Sequence, residues 1–575
     1  MKMLPSWRYL TIAVIMAIIG AAIPVQIVRI QSSPEVAGVT GQGTYVWETF
    51  YPARGEIYDR HGNLLAGNRT VYEVGVDLSA NPDKQTIALA AQMALGLDPA
   101  VAIERITDIK PNITYITLED FVEPAKADLL KQLQEDARTD PSGRDLEAVH
   151  FKAHLMRSYP ENDLASTVLG YVTRENKGYM GVEEKYDNIL AGIPVTELIP
   201  ADPRRALEYP RIPPGQSIIL TIDREIQASV EKILDDALVS TGAASGTILV
   251  MDPKTGEILA MSSTPRMNLN DFTRVAEIFP GETPFNRAIS QAYEPGSVAK
   301  IMTMSAALDT GTVTPATVYL DTGVIYVGGI PIYDWDQGAW GYQDMTGCLA
   351  HSLNVCLAWV STQMGNVTFY SYMKHFGLGH LTGIDLAGET PGRLKLPGDS
   401  DWYPVDLGTN AFGQGVAITP IQMVMAASAL ANNGQMVYPH VLYAKVGESR
   451  PDKAVQVVGT PIKAETAHTI TNMLTNALES ESSDALLEGY TIAGKTGTAQ
   501  IPTSDGYDDI DINASFIGWG PVDAPRFLVY VWLEKPQTNR AASVVAAPIF
   551  KQVIEKLVVL MGIPPDAIRL QKTSQ

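Results

Sequence analysis

Residues 9–28 carry no formal charge, and this stretch constrains the chain more than any other local feature. A helix of twenty residues is about 30 Å long, which matches the hydrocarbon core of a bilayer. Lys2 and Arg8 precede the stretch, and a basic flank favours an N-terminus that stays in the cytoplasm. We therefore predict a cytoplasmic tail (1–8), one transmembrane helix (9–28) and an exported remainder. A cleaved signal peptide is the alternative, because Gly20-Ala21-Ala22 offers small residues for cleavage.

The chain as a whole has the composition of a folded protein with more than one domain. Its 575 residues exceed the usual length of one domain, and 46% hydrophobic against 19% charged residues can supply large buried cores. The formal net charge of −21 would repel a phosphate backbone, which disfavours nucleic-acid binding. We expect a single membrane span, over residues 9–28.

The two cysteines, Cys348 and Cys356, are close in sequence and form no disulfide framework. If both lay on one helix, their spacing would separate them by about 12 Å of rise, which exceeds the reach of a disulfide. We therefore expect two buried thiols that pack as small hydrophobic side chains. A zinc site that combines Cys348 with Asp334, Asp336 and His351 is an alternative, although loop carboxylates and a helix histidine explain these residues more simply.

Residues 51–212 have the pattern of an extended α+β module, which follows a predicted juxtamembrane stem over 29–50. A turn at His61-Gly62-Asn63 separates two short extended pieces, and apolar residues alternate as in a strand from Tyr72 to Val76. Residues 84–95 and 123–136 have the spacing of amphipathic helices. This module, which we call the pedestal, contains no constellation of residues that indicates catalysis.

Residues 213–563 have the pattern of a second unit, with a C-terminal tail over 564–575. Asp223 is placed to cap a helix that runs through Leu234, and another helix is expected near 544–560. Apolar runs predict strands, the second and third of them joined as a hairpin, at 218–222, 247–251, 257–261, 491–500, 515–519 and 527–533. Strands at both ends with helices between them predict an α/β sandwich on a largely antiparallel sheet.

Three copies of Ser-x-x-Lys place a hydroxyl and an amine one helical turn apart, an arrangement in which the lysine can activate the serine. The copies begin at Ser229, Ser297 and Ser371. Ser229 and Ser371 have helix interior on either side, so we interpret both as solvated helix faces. Ser297 follows Glu294-Pro295-Gly296, a chain break that places it in the first turn of a new helix. Unpaired N–H groups and the positive end of the helix dipole there can stabilise an oxyanion.

Two further patterns follow, Ser-x-Asn and Lys-Thr-Gly, and each occurs twice. Ser352-Leu353-Asn354 lies 55 residues after Ser297, whereas Ser79-Ala80-Asn81 precedes a proline and is typical of a turn. Lys495-Thr496-Gly497-Thr498 lies inside a predicted strand, where a glycine often marks the close approach of a ligand. Its lysine and hydroxyls suit a terminal carboxylate. The other copy, Lys254-Thr255-Gly256, is explained as a hairpin turn.

Ser-x-x-Lys, Ser-x-Asn and Lys-Thr-Gly follow one another in this order along the chain. This order resembles the active-site motifs shared by penicillin-binding proteins and serine β-lactamases. The chain resembles class B penicillin-binding proteins in particular, over most of its length. Their landmarks are recognisable at Arg54–Ala66, Gly215–Gln227, Phe376–Gly379, Thr382–Leu386, Gly413–Gly415 and Thr419-Pro420. The resemblance implies an α+β fold, in which an antiparallel transpeptidase sheet with helices on both sides follows a dimerisation-type pedestal and one transmembrane helix.

For the chemistry, the resemblance implies that Ser297 attacks the carbonyl between two D-Ala residues of a peptidoglycan stem peptide, with Lys300 as its base. Ser352 would pass the proton to the leaving D-Ala, and Asn354 would orient the stem peptide. An amine from a neighbouring stem would then take the acyl group. β-Lactams would acylate Ser297 in the same way, and no cofactor is required because the reaction is an acyl transfer.

For the strand, the resemblance implies that Lys495, Thr496 and Thr498 hold the substrate carboxylate, with Gly497 between them. The N–H groups of Ser297 and Thr498 would form the oxyanion hole. The middle residue of the second motif is Leu353 where the cited pattern has Asp, so Leu353 should have no catalytic role.

Three functions remain open from the residues. The first is a cross-linking D,D-transpeptidase, and the second is a D,D-carboxypeptidase or β-lactamase-type hydrolase. The third is a non-catalytic penicillin-binding sensor or scaffold. Glu389 could act as a deacylating base, but it lies in a turn-rich loop that explains it as well. The pedestal favours the first function, because a secreted β-lactamase does not need it, and the short tail before residue 9 leaves no room for a signalling domain. The resemblance also implies a membrane glycan polymerase as a partner.

Overall fold

The computed structural model describes residues 26, 45–107, 113–139, 145–200, 210–448, 455–503 and 506–573. These residues form two compact units. The smaller unit contains an antiparallel ribbon of two strands, Tyr45–Phe50 and Val195–Pro200. The larger unit is formed by Glu56–Leu190 and Gln216–Gln575. The predicted transmembrane helix lies outside the described residues except for residue 26, and no helix within the described ranges is both long and apolar enough to cross a membrane.

The strands are numbered in chain order. They are β1 (Tyr45–Phe50), β2 (Ile57–Tyr58), β3 (Leu64–Asp77), β4 (Tyr115–Val122), β5 (Val149–Ser158), β6 (Tyr171–Val172), β7 (Gly178–Tyr179), β8 (Val195–Pro200), β9 (Ile218–Leu220), β10 (Ser245–Met251), β11 (Ile258–Ser263), β12 (Val318–Asp321), β13 (Val324–Val327), β14 (Ile330–Tyr333), β15 (Gly341–Asp344), β16 (Met436–Val437), β17 (Leu442–Lys445), β18 (Val457–Gly459), β19 (Ala493–Thr503), β20 (Gly506–Gly520) and β21 (Phe527–Glu534).

The α-helices are numbered in the same way. They are α1 (Lys84–Leu95), α2 (Pro99–Thr107), α3 (Pro124–Thr139), α4 (Ser166–Leu169), α5 (Gly181–Lys185), α6 (Asp187–Leu190), α7 (Arg224–Thr241), α8 (Val275–Ile278), α9 (Arg287–Ser290), α10 (Lys300–Asp309), α11 (Met345–Ala350), α12 (Asn354–His375), α13 (Asp406–Asn410), α14 (Pro420–Ala431), α15 (Ala464–Ser480), α16 (Ala542–Val545), α17 (Ala547–Leu560) and α18 (Asp566–Thr573).

The sheet that carries the predicted Lys-Thr-Gly strand has five strands in the order β11-β10-β21-β20-β19, and every neighbouring pair is antiparallel. Its central strand β21 is apolar on both faces. Leu528, Tyr530 and Trp532 pack into one hydrophobic cluster with residues of α10, α12 and α14, whereas the alternate residues of β21 pack into a second cluster with α7 and α17. Helices therefore cover both faces of an antiparallel sheet, which confirms the predicted layers.

The second sheet has six strands and combines distant parts of the larger unit. Its order is β17-β9-β2-β3-β4, and β5 pairs with the long strand β3 over Gly67–Val76. The strand predicted at 218–222 thus does not join the five-stranded sheet, because β9 lies parallel to β2 and antiparallel to β17. The exact domain limits predicted at 51–212 and 213–563 stay a prediction.

Local signals placed most of the predicted helices correctly. Asp223 accepts hydrogen bonds from the Glu225 and Ile226 N–H groups and so caps α7, as predicted. The helix ends at Thr241 and not at Leu234, because its apolar face continues for two more turns against the sheet.

The prediction of two free thiols is wrong, since Cys348 and Cys356 form a disulfide with their Cα atoms 6.1 Å apart. The two cysteines do not lie on one continuous helix. Instead α11 ends at Ala350, and Ser352 adopts a left-handed φ of 55°. The chain turns there before α12 begins at Asn354, which brings the two cysteines together.

Candidate active site

Ser297 lies in a 3₁₀ turn, Gly296–Ala299, that leads directly into α10. The turn packs against β19 so closely that a Cβ atom on Gly296 would lie 2.8 Å from the Thr498 carbonyl oxygen. Gly296 also has a φ of 60°, which few other residues adopt, and its N–H donates to the Gly413 carbonyl at 3.1 Å. The Pro295-Gly296 break therefore places Ser297 at a helix start beside the strand.

Lys300, one turn after Ser297, is fully buried and points to the Ser-x-Asn turn. Its Nζ donates to the Ser352 carbonyl oxygen at 2.5 Å and to Asn354 Oδ1 at 2.8 Å, and it lies 3.3 Å from Ser352 Oγ. These contacts join two segments that are 52 to 54 residues apart in sequence. The lysine and both polar residues of the second motif therefore form one cluster.

The environment of Lys300 favours its neutral form. Burial holds the pKa of the amine well below its usual range, and the nearby positive charge of Lys495 lowers it further, whereas Asp334 opposes both effects. A neutral amine can accept a proton from a neighbouring hydroxyl, which an ammonium group cannot. Lys300 thus has the properties that a general base needs.

The Lys-Thr-Gly segment lies on β19, which is the edge strand of the five-stranded sheet. A Cβ atom on Gly497 would lie 2.4 Å from Ser515 Oγ and 2.9 Å from the Val298 side chain, so only glycine lets the strand approach the turn that holds Ser297. Lys495 is 4% exposed, and its Nζ is 3.2 Å from both Thr496 Oγ1 and the Thr496 carbonyl oxygen. Burial lowers the pKa of Lys495 to about 8, and the charge of Glu481 opposes that change.

An open groove of about 1120 Å³ brings these segments together. Six of the eight predicted site residues line it: Ser297, Ser352, Asn354, Lys495, Thr496 and Thr498. Lys300 and Gly497 are buried behind its wall. Thr498 Oγ1 also accepts the Ala542 N–H at 3.3 Å, which links the strand to the start of α16 at one end of the groove.

The other copies of the motifs lie outside this groove. Lys232 follows Ser229 on α7 and pairs with Asp236 at 2.9 Å, and Lys374 is exposed in the last turn of α12. Lys254 is exposed in the β10–β11 hairpin. Glu389 accepts hydrogen bonds from the Thr382 and Gly383 N–H groups, which matches the turn role that its sequence context suggests.

The alternative zinc ligands are not assembled. Cys348 is part of the disulfide, and His351 Nδ1 pairs with Glu481 at 3.1 Å while its ring stacks on Trp340. Among the residues that the structure describes, no group of three potential metal ligands is found.

Sequence reasoning assigned no role in the active site to two buried carboxyl groups: Asp334, which lines the groove, and Glu294, whose partner Tyr507 lines it. Glu294 is buried beside Ser297, where its Oε1 accepts the Gly415 N–H at 2.9 Å and Tyr507 Oη lies 3.2 Å away. Burial raises the pKa of Glu294 to about 7. Asp334 is buried next to the second motif and had been considered only as a metal ligand. Asp334 interrupts an apolar stretch from Ile330 to Trp335, a signal that could have drawn attention to it, whereas no such signal marks Glu294.

Comparison with protein families gives two adjacent matches. The family described as the penicillin binding protein transpeptidase domain matches residues 246–555, which is more than half of the chain. The penicillin-binding protein dimerisation domain matches residues 49–205. The first match contains all three motifs of the groove, and the second covers most of the predicted pedestal.

Individual proteins are similar along nearly the whole chain. Stage V sporulation protein D of Bacillus subtilis is 31% identical over 545 residues, which cover 92% of this chain and 81% of that protein. Peptidoglycan D,D-transpeptidase FtsI of Escherichia coli is 29% identical over 530 residues, which cover 90% of this chain and 85% of that one. Penicillin-binding protein 2X from Streptococcus thermophilus has the same fold, with a TM-score of 0.72 at 21% identity over 89% of this chain and 80% of that chain.

Proposed function

The chain belongs to the class B penicillin-binding proteins, and we infer that it is a peptidoglycan D,D-transpeptidase that works through an acyl-enzyme on Ser297. The observation that carries this inference is the position of the Lys300 amine. It is buried, contacts both Ser352 and Asn354, and lies one helical turn from a serine that lines the groove. The family and the arrangement of the groove thus support the same reaction.

Acylation begins when the Ser297 hydroxyl attacks the carbonyl carbon between two D-Ala residues while Lys300 accepts the hydroxyl proton. The backbone N–H groups of Ser297 and Thr498 stabilise the oxyanion that forms. The C–N bond to the terminal D-Ala then breaks, and Ser352 transfers the proton from Lys300 to the leaving amine. The 3.3 Å between Lys300 Nζ and Ser352 Oγ supports this transfer.

The β19 strand binds the substrate. The terminal carboxylate of the stem peptide lies near Lys495, Thr496 and Thr498, and the lysine supplies the positive charge. Asn354 orients the peptide through its amide group. These interactions select a peptide with a free C-terminal carboxylate. The carboxylate of a β-lactam binds to the same residues.

An amine from a neighbouring stem peptide then attacks the acyl-enzyme, which forms the cross-link and frees Ser297. In a D,D-carboxypeptidase or a β-lactamase, water would take the place of this amine. A sensor or scaffold would form the acyl-enzyme but would not complete the cycle. The match to a dimerisation domain beside the catalytic match favours the transpeptidase.

We also propose a location and a partner. Residues 9–28 anchor the chain in the cell membrane as a single span, with the transpeptidase domain on the extracytoplasmic side. The proposed domain limits are 51–212 for the pedestal and 213–563 for the catalytic domain. A membrane glycan polymerase, which supplies the strands to be cross-linked, is the proposed partner.

The function is tested by measuring which acceptor takes the acyl group, water or the amine of a second stem peptide. The full chain in detergent is incubated with a stem pentapeptide ending in D-Ala-D-Ala and with a second stem peptide that carries a free amine. Mass spectrometry should detect released D-Ala together with the cross-linked dimer. Free tetrapeptide alone would identify a carboxypeptidase, and a stable acyl-enzyme without turnover would identify a sensor or scaffold. The Ser297→Ala variant is the matched control and should release no D-Ala.

A further inference from the structure

Asp334 follows β14 and is 3% exposed. Its Oδ1 accepts the Val355 N–H at 3.1 Å, in the first turn of α12. The N-cap position of this helix is Leu353, whose side chain cannot accept a hydrogen bond. Asp334 therefore caps, from another segment, the helix that begins with Asn354.

The neighbours of Asp334 hold the same turn. The Tyr333 carbonyl oxygen accepts from Asn354 Nδ2 at 3.2 Å, while Asn354 Oδ1 accepts from Lys300 at 2.8 Å. Trp335 Nε1 donates to the His351 carbonyl at 3.1 Å. Three consecutive residues, 333–335, thus fix the position and the amide orientation of the Ser-x-Asn turn.

A second buried carboxyl faces Asp334. Asp321 is 1% exposed at the end of β12, and its Oδ1 accepts the Gly323 N–H at 2.6 Å. The Oδ2 atom of each carboxyl group is buried with no N–H or hydroxyl donor among the described residues, and the two carboxyl groups interact with each other. A proton shared by the two groups is therefore favoured over two buried negative charges.

The charges around Asp334 are linked to that of Lys300. Burial raises the pKa of Asp334 to about 7, and Asp321 adds to the rise, while the Val355 N–H and the positive charge of Lys300 act in the opposite direction. Asp334 in turn raises the pKa of Lys300 against the effects of burial and of Lys495. Tyr319 on β12 also faces the pair, and burial together with both carboxylates raises its pKa to about 12.

We propose that Asp334 is a positioning residue that adjusts the charge state of Lys300 from behind the Ser-x-Asn turn. This proposal rests on the proposed function, in which Lys300 takes the Ser297 proton. A base must be neutral before that step and is an ammonium group after it. Because Asp334 is only partly ionised near neutral pH, it does not keep Lys300 charged before the proton transfer. Its negative charge still stabilises the ammonium group that the transfer produces. No proton moves to or from Asp334 in this role.

The pH dependence of acylation by a fluorescent penicillin tests the proposal in the full chain. Asp334→Asn keeps an oxygen for the Val355 N–H but removes the negative charge. Because this charge favours the ammonium form of Lys300, its loss should lower the pKa of the lysine. In a plot of acylation rate against pH, the rise on the acidic side, here called the acidic limb, reports the loss of a proton from Lys300. This limb should therefore move to lower pH by roughly one unit.

Asp321→Asn is the matched variant and predicts a shift of opposite sign. Without Asp321, Asp334 ionises more readily, and its greater negative charge should move the acidic limb to higher pH. A purely structural role would change the melting temperature or the amplitude of labelling but would leave the limb of both variants at the wild-type pH.

Opposite shifts in the two variants would support the proposal, and an unchanged limb in a folded Asp334→Asn protein would overturn it. If Asp334→Asn does not fold, the Asp321→Asn profile decides, because a limb that stays in place or moves to lower pH contradicts the charge relation. Wild-type protein that fails to react with penicillin would instead refute the proposed function, so the two failures are distinguishable.

Discussion

Ser297–Lys300 and Ser229–Lys232 share the same four-residue pattern, yet the fold gives their lysines opposite properties. Lys300 is 0% exposed, and its burial lowers the pKa of the amine. The Lys232 side chain is 75% exposed, and its hydrogen bond and charge interaction with Asp236 raise the pKa. The four-residue pattern thus sets only the spacing of hydroxyl and amine, while the surroundings decide whether the amine can act as a base.

The difference originates in the residues that precede each serine. Ser297 follows Pro295-Gly296, so it begins a helix, and the turn beside β19 buries the lysine that follows. Ser229 lies five residues after the start of α7, a regular helix whose apolar face points to the sheet and leaves Lys232 in solvent. A break before the serine is thus the local feature that separates an active-site copy from an ordinary helix surface.

The three serines should differ completely in their reaction with labelled penicillin. Ser297→Ala should abolish covalent labelling, because the hydroxyl one turn before Lys300, in the 3₁₀ turn that leads into α10, is lost. Ser229→Ala and Ser371→Ala should be labelled like the wild type, since both serines lie within helices away from the groove. Gel fluorescence and intact mass measure the adduct. Undiminished labelling of Ser297→Ala would show that Ser297 is not the residue that penicillin acylates.

Replacement of Lys300 should remove a general base and slow acylation, whereas replacement of Lys232 should not. Lys300→Ala should lower the second-order rate of acylation by about 10²- to 10⁴-fold, the usual range for the loss of such a group. Lys232→Ala should leave that rate unchanged, because the side chain contacts only a surface carboxylate. Stopped-flow labelling gives both rates, and circular dichroism of Lys300→Ala checks that the fold persists. Equal rates for the two variants would show that burial of the amine has no catalytic effect.

The two Lys-Thr-Gly copies extend the comparison to substrate binding. Lys495 is buried on β19 at the groove, whereas Lys254 is exposed in a hairpin. Lys495→Ala should weaken acylation by about 10- to 100-fold, which corresponds to the loss of one hydrogen bond to a charged carboxylate. The loss should appear mainly in the concentration of penicillin that half-saturates the rate. Lys254→Ala is the control, and a similar loss there would contradict the assignment.

The sequence predicts elements and motifs well because both depend on residues close in the chain. The Asp223 cap, the β10–β11 hairpin and the strand with Lys495 all follow from local patterns and are confirmed as structural elements. The resemblance to a family predicted which copies of the three motifs belong together. The fold brings those copies to one groove. The catalytic roles assigned to those residues stay predictions.

Features that depend on contacts between distant segments could not be derived in this way. The disulfide was excluded on the assumption of one straight helix, and the left-handed φ of Ser352 removes that assumption. Asp334 caps a helix that begins 20 residues later, so no local capping pattern contains it. The strand at 218–220 joins β2 and not the nearby hairpin, because pairing partners of a short apolar strand are set by tertiary packing.

The two Ser-x-Asn turns give the smallest expected effect. Ser352-Leu353-Asn354 lies inside the Cys348–Cys356 cross-link, whereas Ser79 lies in an exposed 3₁₀ turn that is capped by the Asp77 side chain. A double Cys→Ala variant should lose about 2 to 3 kcal/mol of unfolding free energy, the value expected for a short closed loop. Its acylation rate should fall only several-fold, because Lys300, Asp334 and Tyr333 still hold the turn. Denaturant unfolding and stopped-flow labelling measure the two quantities. A fall in rate as large as that of Lys300→Ala would mean that the cross-link, and not the buried polar contacts, positions this turn.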